Sequence, residues 1–181
     1  MRLFLAIDLP QKTKELLAEQ IYPFQKEYPA FDWVQTKNYH LTVHFFGETS
    51  KSIQIIEKTK HILFDQDPFY LYATNLDYFM TKHIMIYAHF RRERLLENLI
   101  SKVRDAFGSG FQEAMTIVPH ITIARCRISS KQQYFLLQKK IEKVDINIEF
   151  PVNEVILFES TILDKRPLYQ KVARIPLAAK I

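Results

Sequence analysis

The tetrapeptide His40-Leu41-Thr42-Val43 recurs eighty residues later as His120-Ile121-Thr122-Ile123. Polar and aliphatic residues alternate in both copies, which is the period of a half-buried strand, so imidazole and hydroxyl share one face. Two such strands set against each other would surround one cleft with two imidazoles and two hydroxyls. That combination suits metal-free acid–base chemistry on a phosphate. An unperturbed histidine titrates near pH ~6.5, so a pair can hold one proton between them at neutrality. One ring can then deprotonate a nucleophile while the other protonates a leaving oxygen, each step contributing on the order of 10²–10⁴-fold. Thr42 and Thr122 offer hydroxyl donors to non-bridging oxygens. Taken singly, a histidine on a strand is ordinarily structural, and threonine is a common strand residue. The pairing of each histidine with a threonine two residues on reverses that balance.

Other chemistries find less support. Catalytic zinc usually takes three protein ligands; Asp8, Glu48 or Glu159 would have to complete a set, and no His-Glu-x-x-His is present. No metal and no cofactor are expected. There is no Gly-x-Ser-x-Gly, and with only 3 glycines there is no glycine-rich phosphate loop. Cys126 is the only cysteine, has no internal disulfide partner, and reads as packing. His44 is in phase with His40 and Thr42; it is expected to face the cleft and contact phosphate, or else to sit on the rim. His61, His83 and His89 lack any partner pattern and read as structural or surface residues. The run Arg91-Arg92-Glu93-Arg94 reads as the solvated start of a helix. Trp33, Tyr39, Tyr78 and Phe79 can stack on a base, but core packing is the plainer reading of each.

The elements that must hold the motifs also repeat. Ser50-Lys51 and Ser130-Lys131 stand at the same offset from their histidines, and each precedes a stretch with helical spacing (Ile53, Ile56, Lys60; Tyr134, Leu137, Ile141). Ser50 and Ser130 read as N-caps, and Ser130 with Gln133 has capping-box spacing. Upstream, a strand from Arg2 to Ile7 precedes Pro10 and a helix with Leu17, Ile21, Phe24 and Tyr28. In the second half a strand over Ile84–Phe90 precedes a helix with Leu96, Leu99, Val103 and Phe107 that Gly108 stops. Further strands are expected at Phe69–Asn75, Val152–Glu159 and Leu168–Ile175. Phe31–Val34 and the loop from Gly108 to Met115 are the least patterned stretches.

The expected fold is therefore α+β and bilobed: two lobes of antiparallel sheet with outer helices, related by an approximate two-fold, with the cleft between them. Residues 1–181 form one domain, with an internal repeat at approximately 1–80 and 81–165 and a closing strand at 168–175. The chain is 48% hydrophobic and 25% charged, which excludes disordered and fibrous classes. A net charge of +5 mildly favours polyanionic partners. No apolar run approaches the ~20 residues of a membrane helix. A single cysteine and no secretory segment point to the cytoplasm, and a monomer is expected.

Two His-x-Thr-x motifs in two similar halves resemble the 2H phosphoesterase superfamily, and within it the bacterial and archaeal RNA 2′,3′-cyclic phosphodiesterase branch, also called the 2′-5′ RNA ligase family. The flanks are similar too: Met1-Arg2-Leu3-Phe4-Leu5-Ala6-Ile7-Asp8-Leu9-Pro10, the Gly47-Glu48 that trails the first motif, Pro119 to Arg125 around the second, and Phe158-Glu159-Ser160 with Tyr169 near the end. The resemblance implies hydrolysis of RNA 2′,3′-cyclic phosphate ends to 2′-phosphomonoesters without metal. His40 would donate a proton to the leaving 3′ oxygen, and His120 would accept one from water. It implies phosphate binding by Thr42, Thr122 and Arg125, RNA ends or cyclic-phosphate nucleotides as partners, and ATP-independent 2′-5′ joining as a further capacity. Which histidine is acid and which is base rests on the resemblance alone. Simple alternation puts Arg125 on the face opposite His120, so a bulge, a twist or its long side chain has to bring it round. The chain departs from its relatives at His44, where lysine or another residue is usual, and in lacking a Gly-Pro-rich loop at Tyr78–His83. Rival readings are a 2H enzyme for a small cyclic nucleotide or an ADP-ribose cyclic phosphate, a non-catalytic RNA-end-binding module, and a structural or partner-binding protein with decayed chemistry.

Overall fold

Leu3, Leu5 and Ile7 alternate with Phe4, Ala6 and Asp8, and that pattern makes strand β1 (Arg2–Asp8) two-faced. The same alternation recurs along β3 (His40–Glu48), β5 (Ile84–Phe90) and β6 (His120–Cys126). The computed structural model describes residues 1–80, 83–108, 118–128, 130–164 and 166–178. Its other strands are β2 (Asp32–Trp33), β4 (Phe69–Met80), β7 (Asp145–Val152), β8 (Glu154–Leu163) and β9 (Arg166–Pro176). The helices are α1 (Gln11–Glu27), α2 (Ser52–Ile62), α3 (Arg94–Phe107) and α4 (Lys131–Ile141).

The strands form one curled antiparallel sheet in the order β7-β4-β5-β6-β3-β1-β8-β9, with β2 added beside β6. The expected α+β fold, with antiparallel sheet lobes and outer helices, is what the chain adopts. Two four-stranded halves meet along β3 and β6, where Leu41 and Ile121 are the paired residues. Both are fully buried; truncating either to alanine would cost about 2–5 kcal/mol. The chain crosses between halves. β4 follows α2 but pairs with β5, and β8 returns to pair with β1.

The helices α1 to α4 cover one face of the sheet. Leu17, Ile21 and Phe24 of α1, Ile55 of α2, Leu96, Leu99 and Val103 of α3, and Leu137 and Ile141 of α4 join the odd-numbered side chains of β1 in a single core. The opposite face is open. Its small apolar cluster, Phe4, Ala6, Ile156 and Phe158, comes from the first half alone.

Several local expectations change. Lys51, not Ser50, is the residue before α2, because Thr49 Oγ1 there accepts the Lys51 N–H and forms a local turn. Ser130 does cap α4, its hydroxyl accepting from Gln133 N–H at 3.5 Å. Pro10 precedes the first helical residue rather than occupying it. β7 lies outside the expected strands, although its burial alternates strictly from Asp145 to Val152; Val152 therefore ends β7, and β8 begins at Glu154. Gly108 ends α3 with φ 82°, a conformation that favours glycine. Residues 109–115 of the expected loop, and 81–82 of the Tyr78–His83 stretch, lie outside the described residues.

Candidate active site

The Leu41–Ile121 pair fixes the register in which the two motif strands meet. Its antiparallel sense sets His40 level with Thr122 and Thr42 level with His120. Leu41 and Ile121 point into the helix-covered core, so all four polar side chains point to the open face. Each imidazole is held the same way. His40 Nδ1 lies 2.7 Å from the Asn38 carbonyl, and His120 Nδ1 lies 2.7 Å from the Val118 carbonyl, each two residues upstream. A carbonyl only accepts, so both Nδ1 atoms carry hydrogen, and Nε2 is the nitrogen left to exchange protons. Asn38 is itself anchored, its amide donating to the Pro167 carbonyl of β9 at 3.1 Å.

One irregularity, repeated in both strands, decides which further residues reach this face. Across from β1, the partner of Leu5 is His44 and the partner of Ala6 is Thr42, so Val43 is an extra residue. Across from β5, the partner of Ile86 is Ala124 and the partner of Tyr87 is Thr122, so Ile123 is an extra residue. Each bulge lies three residues past its histidine and reverses the alternation beyond it. In the second strand this brings Arg125 onto the face of His120 and Thr122, opposite Met85. In the first it carries His44 off that face. His44 pairs with core-facing Leu5, and its ring packs against Phe46 at 4.7 Å and Phe107 of α3 at 6.0 Å. The expectation that His44 faces the cleft is therefore corrected, because strict alternation ends at Val43. Phe45 takes the position that Arg125 has in the other half.

The surroundings of the two rings differ. His40 packs against Phe4 and, edge-on, Tyr169, both at 5.1 Å, with Phe158 at 6.3 Å. His120 packs against Phe79 at 5.2 Å and Tyr87 at 5.4 Å. Burial lowers the pKa of both rings first. For His40 the Asn38 carbonyl and the Asp8 carboxylate push back upward, while Lys14 and His120 itself press it down. The two imidazoles thus lie within electrostatic reach of each other. For His120 the Val118 carbonyl raises the pKa and the Arg125 guanidinium lowers it. Arg125 also acts on Tyr169, whose hydroxyl burial pushes up, so its charge is felt in both halves.

Several residues of this face become neighbours of the motifs only through strand pairing. Asp8 lies opposite His40 and is held by Lys14 and Lys171, each at 2.6 Å. Tyr87 lies opposite Thr122 and donates to Asp77 at 3.2 Å. His89 lies opposite His120 and Tyr169 opposite Ser160. Cross-strand pairing created these neighbours, and no spacing within one segment reports it. Of the four aromatics weighed for stacking, Phe79 alone borders a motif histidine among the described residues. Trp33 joins Phe24 and Phe31, Tyr39 is buried, and the Tyr78 hydroxyl bonds that of Tyr134. Cys126 is buried, which pushes its thiol up to about 11. Among the described residues no three His, Cys, Asp or Glu side chains group as a metal-ligand set.

Comparison with known proteins shows the family and the fold. The model of the 2′-5′ RNA ligase superfamily matches residues 11–161. The RNA 2′,3′-cyclic phosphodiesterase of Methanocaldococcus jannaschii is 30% identical, over 95% of this chain and 98% of that protein. The protein of the same name from Thermotoga maritima is 28% identical, over 94% and 92%. Among solved structures, E. coli LigT complexed with 3′-AMP superposes with a TM-score of 0.77 at 24% identity, covering 98% of both chains. TT0787 of Thermus thermophilus superposes with 0.74 at 24%, covering 100% of both.

Proposed function

The chain belongs to the 2′-5′ RNA ligase superfamily, and from that premise we propose that it opens 2′,3′-cyclic phosphates at RNA ends by metal-independent acid–base catalysis. The observation that carries this reading is the matched pair of imidazoles, each held through Nδ1 by a carbonyl two residues upstream. His120 Nε2 takes a proton from the attacking water as the water oxygen bonds to phosphorus. His40 Nε2 gives its proton to the departing 3′ oxygen as that P–O bond breaks, leaving a 2′-phosphomonoester. The local charges support this division of labour: a carboxylate favours the protonated form of His40, and a guanidinium disfavours that of His120. Thr42, Thr122 and Arg125 meet the phosphate oxygens, Arg125 offsetting the charge that builds up as water adds. His44 is not a member of this set. With an RNA 5′-hydroxyl attacking in place of water, the same proton transfers would join ends through a 2′-5′ bond without ATP. We take the enzyme to be a cytoplasmic monomer; no helix among the described residues is long and apolar enough to cross a membrane.

The test is incubation with adenosine 2′,3′-cyclic phosphate in excess chelator, with the product's phosphate position read by NMR. Undiminished turnover to the 2′-monoester is expected. Loss of activity on chelation, or a 3′-phosphate product, overturns the mechanism.

A further inference from the structure

We propose that the open face of the second half carries a binding track for the single-stranded RNA that leads into the cyclic end, running from His120 across His89 to Tyr72 and Tyr70. This rests on the functional reading above and adds where the strand beyond the reacting nucleotide lies.

His89 is the starting point. It pairs directly across from His120 and alternates with core-facing Ala88 and Phe90, so it stands on the open face with His120, its ring 6.4 Å from that of Tyr87. Among the described residues its Nδ1 is the buried side-chain nitrogen or oxygen left without a hydrogen-bond partner. Buried polar atoms are nearly always paired, so the exception calls for an account. His89 is not there to orient His120, whose ring the Val118 carbonyl already holds. The position related to it by the two-fold, Asp8 beside His40, is saturated by two lysines. A sealed nitrogen is tolerated more readily as a bare acceptor than as an unpaired N–H, which places the hydrogen on Nε2. Half-buried His89 thus offers the cleft one donor with no protein acceptor.

Beyond His89 the face continues in the same direction. Arg91 lies two residues on, exposed, and its backbone N–H donates to the Tyr72 carbonyl at 2.8 Å. Tyr72 and Tyr70 alternate with core residues Leu71 and Ala73 of β4, so both rings stand on the open face, 39% and 53% exposed and stacked 6.4 Å apart. A donor, then a cation, then two neighbouring aromatic rings inclined by 30° suit a single strand of RNA. Phosphate oxygens accept from the donors, and unstacked bases lie on the rings without sequence preference.

The experiment compares adenosine 2′,3′-cyclic phosphate with an adenosine trinucleotide bearing the same cyclic end. The wild type should favour the trinucleotide through KM. His89→Ala and Tyr72→Ala should each raise KM for the trinucleotide about tenfold, with kcat and both constants for the mononucleotide within about twofold of wild type. His89→Gln keeps an amide donor and should recover part of the loss; it also serves if the alanine variant does not fold. Equal losses on both substrates would place His89 at the reacting phosphate, and unchanged trinucleotide KM would remove the track altogether. Either outcome overturns the inference. If the wild type turns over neither substrate, the functional reading falls first. The track is then judged by the affinity of a single-stranded adenosine oligomer, which both alanine variants must weaken.

Discussion

The two halves of the open face share a frame and differ in what they hang on it. Each has a strand that starts at a histidine, a carbonyl two residues upstream that holds the ring, a threonine two residues on, and a bulge at the third residue. Around that frame the matching positions diverge. Opposite the histidine stands Asp8 in one half and His89 in the other. Opposite the threonine stands Ala6 against Tyr87. Past the bulge stands Phe45 against Arg125. The first half therefore surrounds its imidazole with Phe4, Phe158, the Tyr169 ring and one compensated carboxylate. The second surrounds its imidazole with Phe79, the Tyr87 ring and the charge of the Arg125 guanidinium. Equal geometry with unequal charge is what an acid and a base acting on one phosphorus require, because identical surroundings would leave the two rings with the same proton affinity.

The comparison breaks most sharply if either histidine is removed. His40→Ala and His120→Ala should each reduce turnover of a cyclic-phosphate nucleotide on the order of 10²–10⁴-fold or more, with circular dichroism and melting unchanged. Full activity in either variant would end the two-histidine account. Next come the residues past the bulges. Arg125→Gln removes a charged phosphate contact and should lower kcat/KM on the order of 10–100-fold, whereas Phe45→Ala should change it only a few-fold. Comparable losses in the two would mean that the asymmetry carries no function.

The pH profile sharpens the assignment of roles. Burial lowers both imidazole pKa values, so the bell of kcat/KM should centre on the acid side of the ordinary histidine value near pH ~6.5. Asp8→Asn removes an influence that raises the His40 pKa and should move the basic limb to lower pH. Arg125→Gln removes one that lowers the His120 pKa and should move the acidic limb to higher pH. If Asp8→Asn moves the acidic limb instead, His40 is the base.

The smallest effect concerns His44. Its pKa is lowered by burial, so below about pH 6.5 the unfolded chain binds more protons there than the folded one, and stability falls as pH falls. His44→Gln should flatten the loss of denaturation free energy between about pH 7 and 5 by less than about 1.4 kcal/mol per pH unit, with little change in activity. A large loss of activity would return His44 to the cleft.

Much of this face is legible along the chain. Alternation within His40–Thr42 and His120–Thr122 is enough to pair each imidazole with a hydroxyl, and the repeated order of strand and helix is enough for an α+β fold of two halves. β7 is written in the alternation of Ile146, Ile148, Phe150 and Val152 with Asp145, Asn147, Glu149 and Pro151, the same period as in the motif strands, and Pro151 is the residue that speaks against a strand there.

What local pattern settles is the side of a strand on which a residue stands, because successive side chains point to opposite faces for as long as the strand is regular. Where that regularity stops is decided by the partner strand, since a bulge exists only as two residues facing one. Hence His44 and Arg125 each stand on the face opposite to the one their spacing implies. Hence also Asp8, Tyr87 and His89 became neighbours of the motifs only when strands distant in sequence lay side by side.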